Sequence, residues 1–161
     1  MAGILLLAIQ IVLNVWLMND VSPLGVSDHQ AAGFAAKVNA IHAGWRASGM
    51  MELAIFSMIL DCLFIGVYSW GAFAGGRMFA SSHGALLSRL GKLIVIAAVA
   101  FCAADYTETI SQLVQAIGGQ GSDNLAHIAA TVRPVKTVLF LVTFFGLLMA
   151  LYIRRTTRRA A

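Results

Sequence analysis

Two carboxylates three residues apart, Asp105 and Glu108, stand in "AADYTETISQ", directly after the uncharged run "LIVIAAVAFCAA". At about 100° per residue, Asp105, Glu108, Gln112 and Gln115 share an arc of about 80° on one helix face. A third acid, Asp61, shares an arc of about 40° with Ser57 and Tyr68. Gln10 and Asn14 lie one turn apart in the first apolar run, and Lys136 opens the last. Carboxylates in such surroundings have a short menu of chemistry. They carry a proton, bind a cation, act as general acid or base beside a cationic partner, or join helices through hydrogen bonds.

The elements that must position them are apolar helices. The 161-residue chain is 60% hydrophobic and 11% charged, against about 25% charged in a soluble domain. Four apolar runs, about residues 2–18, 50–70, 93–117 and 135–153, each approach the roughly 20 residues that cross a bilayer core. The expected fold is all-α, one transmembrane domain over 1–161 built as a four-helix bundle. The first run lacks a basic leader and a clear small-residue cleavage site, so it is read as helix one rather than a signal peptide.

Charge orients the bundle. The loop between runs two and three carries Arg77, Arg89 and Lys92 with no acid, and the tail "RRTTRRAA" (154–161) carries four arginines, whereas the other two loops each sum to zero. The positive-inside rule then places both termini in the cytoplasm and loops one and three outside, in a bacterial inner membrane. Because the basic residues flank apolar helices, a nucleic-acid partner is not implied. Loop one contains "FAAKVNAIHAGWR", with Phe34, Val38, Ile41 and Trp45 on one helical face. This predicts an extracytoplasmic amphipathic helix over about 28–47 that lies on the outer surface or caps the bundle, with Trp45 at the membrane boundary. Gly71 and Gly75 form a small-x-x-x-small pair for close helix approach. Pro134 either begins helix four or kinks a longer helix.

Depths follow from 1.5 Å per residue. Counted from the cytoplasmic ends, Asp61 lies roughly 14 Å in, Asp105 18 Å, Glu108 22 Å and Lys136 26 Å, with Gln10 and Asn14 at roughly 12 and 18 Å. The polar groups of all four helices therefore converge on the middle and outer half of the bundle. Three acids against one lysine leave an excess of negative charge that costs several kcal/mol unless a proton, a cation or water offsets it. At least one carboxyl is expected to be protonated near neutral pH. The candidate ligand- or proton-binding residues are Asp61, Asp105, Glu108, Lys136, Asn14, Gln10, Tyr68 and Gln112.

No metal or cofactor is implied. Cys62 and Cys102 sit inside helices without metal spacing, no histidine lies mid-membrane to hold a haem, and His29, His42 and His127 read as surface or interfacial residues. Four uses of the polar layer remain open: proton-linked binding or transport of a small polar or cationic solute, a structural role in the bundle, an accessory subunit of a larger membrane complex, and a lipid- or sterol-like ligand site with isomerase-type chemistry. No catalytic residue is assigned. Partners would be membrane lipids and further copies or subunits, since four helices are few for a complete transport path.

"SMILDCLFIGVYSW", "ADYTETISQ" and "RPVKTVLF" resemble the corresponding segments of a group of uncharacterised four-helix bacterial integral membrane proteins. The resemblance maps that group's acid to Asp61, its D-x-x-E to Asp105 and Glu108, and its lysine to Lys136, and implies no activity. The layout is more loosely similar to the sigma-2 receptor and sterol-isomerase type, which also has four helices and a long first outer loop. Likeness of layout does not fix function.

Overall fold

Helix formers dominate the chain and Gly or Pro punctuate it at few points, so nearly all of it is helical. The computed structural model describes residues 2–160. In chain order the elements are α1 (Ala2–Trp16), α2 (Val26–Gln30), α3 (Ala35–Ala47), α4 (Met51–Ala80), α5 (Ala85–Gly118) and α6 (Asp123–Ala160). The fold is all-α, with no strand among the described residues. Helix α5 is the central element: it packs along both α4 and α6, which touch each other only sparingly, and α1 leans on α4.

Three helices, α4, α5 and α6, are long and apolar enough to cross a membrane. Their 30, 34 and 38 residues correspond to about 45, 51 and 57 Å, beyond the roughly 30 Å of a hydrocarbon core. Helix α1 is different. It is apolar but stops at Trp16 after 15 residues, about 22 Å, and not at residue 18.

The long helices overrun their apolar segments at both ends. Only Ser81–Gly84 separate α4 from α5, because the Ala, Leu, Arg and Lys of "ALLSRLGK" are good helix formers that outweigh its one Gly; hydropathy marks where a helix is apolar, not where it ends. For the same reason the basic tail is helical as far as Ala160. Pro134 lies inside α6, so the longer-helix alternative is the one found. Its ring leaves the Ala130 carbonyl without the usual i+4 donor.

Helices α4 and α5 approach closely at Gly76 and Gly91, and of the Gly71–Gly75 pair expected to admit another helix only Gly75 meets one, α6. A Cβ on Gly91 would overlap the backbone of Phe79 and Ala80, and one on Gly76 would sit 3.0 Å from Ile94 and Val95. Gly71 faces open space and Gly75 faces Leu147 of α6. Gly91→Ala is therefore expected to lower the melting temperature in detergent by roughly 3–10 °C through overpacking. Gly71→Ala should leave it within about 1 °C, and equal effects of the two would contradict this packing.

Loop one is a cap with two helices rather than one helix over 28–47. The chain breaks at Ala31–Phe34, where Gly33 takes φ 75°, a left-handed conformation that favours glycine. Helix α3 does not lie flat on the outside: Ile41 and Trp45 are buried with Leu17, Ala54, Met58 and Ala116, and Val38 is buried with Ala32 and Ala126. Trp45 is completely covered and donates from Nε1 to the Leu17 carbonyl at 2.8 Å. This corrects its expected place at a membrane boundary; its indole N–H is satisfied inside the protein instead. Polar clamps fix the other side of α3. Asn39 Oδ1 accepts from Gly121 N at 2.6 Å, Asp123 Oδ1 accepts from Ala35 N at 2.7 Å, and Arg46 donates to the Gly119 carbonyl.

Candidate functional site

Helices α5 and α6 bring together the first part of the polar layer. Lys136 Nζ lies 2.8 Å from Asp105 Oδ1 and pairs also with Glu108 Oε2. Asp105 and Glu108, three residues apart on α5, thus present both carboxyls to one ammonium on α6, as i, i+3 spacing allows. The trio is nearly dry, with side-chain exposure of 15% for Lys136, 7% for Asp105 and 0% for Glu108. Glu108 Oε1 has no hydrogen-bond partner among the described residues.

Asp61 of α4 belongs to a second part. Its Oδ2 accepts from Thr109 Oγ1 of α5 at 3.2 Å, and among the described residues no cation lies within 4 Å of it. Gln10 joins α1 to α4 through two bonds: its Nε2 donates to the Ser57 carbonyl at 3.1 Å, and its Oε1 accepts from Ser57 Oγ at 2.9 Å. Asn14 is committed to α2, with Oδ1 accepting from Val26 N at 2.8 Å and Nδ2 donating to the Leu24 carbonyl. Between α1, α2, α4 and α5 these residues line an open-sided cavity of about 390 Å³. Asp61, Gln10, Asn14, Ser57 and Gln112 form its polar walls, and Leu7, Ile11 and Val15 of α1 its apolar one. The size falls within the roughly 300–1,000 Å³ of small-ligand sites.

Seven of the eight expected residues thus fall into two adjoining groups, the ion-paired trio and the cavity wall. Tyr68 belongs to neither. It shares the face of Asp61 but lies two turns further along α4, packed among Phe64, Phe101 and Phe140, with its hydroxyl unpartnered. Its ring fills the aromatic core instead of serving the acids. Gln115 from the same stripe holds the α5–α6 turn, donating to the Ser111 carbonyl and accepting from Ser122 N at 3.0 Å. Sequence reasoning missed Thr109 and Arg133. Thr109 carries a signal only in hindsight, one residue beyond Glu108. Arg133, counted earlier as a loop charge, donates to the Ser27 carbonyl at 2.9 Å and ties α2 to α6.

The histidines also need correction. His29 and His42 are buried, 2% and 0% exposed, because α2 folds back on α3 and stacks the two rings beside Trp45. Their Nε2 atoms are 2.9 Å apart, so one ring donates and the other accepts, which requires both to be neutral or one shared proton. His127 is exposed. Burial, reinforced by neighbouring His42, drives His29 down to about 3 against an opposing contact from Gln112. Burial and then Arg46 push His42 down to about 4. Among the described residues no three His, Cys, Asp or Glu converge as a metal site.

These shifts make the cap acid-sensitive. Unfolded histidine takes up a proton below about pH 6.5, whereas the folded pair stays neutral to about 4 and 3. The unfolded state therefore binds more protons across that window. The stabilisation is complete above pH 6.5 and is lost as pH falls toward 4 and then 3. Between pH 7 and pH 5 the pair is expected to cost roughly 2–3 kcal/mol, a fall of roughly 5–10 °C in melting temperature. Thermal melts of the His29→Gln, His42→Gln double variant should show a flatter pH slope; an unchanged slope would place the acid sensitivity elsewhere.

No protein-family model, no curated protein and no solved structure matches this chain.

Proposed function

We propose that this chain is a four-helix membrane protein, with both termini cytoplasmic, that binds a small cationic solute at Asp61 in exchange for a proton and passes it across the membrane as part of an oligomer. One observation carries the reading: Asp61 lines a cavity of about 390 Å³ with no cation within 4 Å among the described residues. An intramembrane carboxylate facing a cavity needs a positive charge or a proton, and a solute that delivers the charge releases the proton.

The membrane setting rests on three helices with the length and composition of spans. The orientation rests on the asymmetry of positive charge, since Arg77, Arg89 and Lys92 flank the α4–α5 turn. Arg154 of α6 reaches Met78 Sδ at 3.3 Å, so the tail's charges join them at that end. Helix α1 supplies the fourth crossing, with the α2–α3 cap covering the depth it leaves. The two polar groups divide the work. Lys136 pairs with both Asp105 and Glu108, offsets one of their two charges and fixes α5 to α6, while Asp61 is left for the ligand. Gln112, whose Nε2 has no partner among the described residues, adds a donor for an acceptor atom on the same solute. The test is cation-dependent proton release by the purified protein, with Asp61→Asn as the variant that abolishes it.

A further inference from the structure

The face of α4 and α5 away from Asp61, toward the α4–α5 turn, holds a long trough. One stretch, about 450 Å³, is lined by Gly66, Trp70, Phe73, Val99 and Ala103. The next, about 430 Å³, is lined by Phe73, Val95 and Ile96, with Arg77 and Lys92 at its end. Phe73 belongs to both, so the two stretches adjoin at its ring. From Gly66 to Ala80 the trough follows about 21 Å of helix.

Its chemistry is polarised along its length. The first stretch is apolar apart from Ser69, whereas the second ends in two exposed cations. Arg77 lies 5.9 Å from the centroid of the Phe73 ring. Neither Arg77 nor Lys92 has a salt-bridge partner among the described residues, and the sequence has no acid anywhere between Asp61 and Asp105. The charge at the mouth is uncompensated by the helices that form it.

We propose that this trough binds an anionic phospholipid, with its phosphate between Arg77 and Lys92 and one acyl chain along Phe73 toward Ala103. Unpaired Arg and Lys at the edge of a span attract an anionic headgroup and hydrogen-bond its oxygens. The apolar walls suit a hydrocarbon chain of matching length. A twofold contact with a second copy at this face would set the same cations against each other, which favours lipid as the occupant. The proposal rests on α4 and α5 being membrane spans.

Native mass spectrometry of the full chain released from detergent, with phosphatidylglycerol or phosphatidylcholine of identical acyl chains added, tests it. Phosphatidylglycerol should be retained on the order of tenfold better. Arg77→Gln with Lys92→Gln should erase that preference. Ala103→Phe, which fills the apolar end and keeps the charges, should reduce retention of phosphatidylglycerol severalfold. Equal retention of both lipids by the native chain overturns the trough while leaving the membrane reading intact. Retention of neither overturns both. A preference that survives the double substitution, or one that Ala103→Phe leaves untouched, places the lipid elsewhere, as does a dimer that forms at this face and excludes lipid.

Discussion

Replacing Lys136 by methionine is expected to be the most damaging single change in the bundle. The side chain keeps its length and loses its charge, so Asp105 and Glu108 are left facing each other in a nearly dry site. Breaking a buried pair by removing one partner costs about 3–5 kcal/mol, because the remaining charge is uncompensated. For a chain of this size that is a fall in melting temperature of roughly 10 °C or more. The cost comes from the stranded acids, not from a lost contact, and this can be separated experimentally. Adding Asp105→Asn and Glu108→Gln to Lys136→Met removes the stranded charges and should restore most of the loss. Charged-to-neutral replacement of a whole buried cluster is often neutral in stability. Melts of the single, double and triple variants in one detergent measure the coupling. If the triple variant is no more stable than Lys136→Met alone, the lysine acts through packing and the trio is not an electrostatic unit.

How far the site was legible follows from which physics is local. Asp105 and Glu108 meet Lys136 because a three-residue step on α5 is a same-face step, and depth counted along each helix put the lysine within about 4–8 Å of them, a gap its long side chain spans. Gln10 and Asn14 fell near the depth of Asp61 by the same counting, whereas Gln112 was tied to the group only by the face it shares with Asp105 and Glu108. Tyr68 shares the face of Asp61 but not its depth, and its level is occupied by aromatic rings, because helical phase assigns a face and not what fills it. The cap was hardest to read. The pairing of His29 with His42 depends on a chain reversal at Gly33, and a helix drawn straight through 28–47 hides it. Trp45 carried the correct period and the wrong environment: an amphipathic stripe that faces a bundle looks the same in sequence as one that faces lipid. The close approach at Gly91 lay in a segment read as a loop, so its glycine had no helix to serve.

The proposed function divides the polar layer most sharply between Asp61 and Asp105, two acids of similar depth. Asp61→Asn keeps the shape of the side chain and an oxygen able to accept from Thr109 Oγ1, and it removes a charge with no cation beside it. The melting temperature is therefore expected to stay level or to rise. Asp105→Asn removes a carboxylate that Lys136 contacts at 2.8 Å, and should lower it by a few degrees. Function should divide the opposite way. In proteoliposomes with an internal pH dye, a panel running from methylammonium to tetraethylammonium, with guanidinium, should move protons against cation for the native chain. Asp61→Asn should lose cation affinity by roughly 30-fold or more, the cost of removing one partner of a desolvated charge pair, and its proton signal should vanish with it. The Asp105→Asn chain should retain the signal at temperatures where it remains folded. If Asp61→Asn leaves cation affinity and proton movement intact, the cavity is not a cation site. If Asp61→Asn lowers the melting temperature as much as Asp105→Asn does, Asp61 belongs to the structural half of the layer.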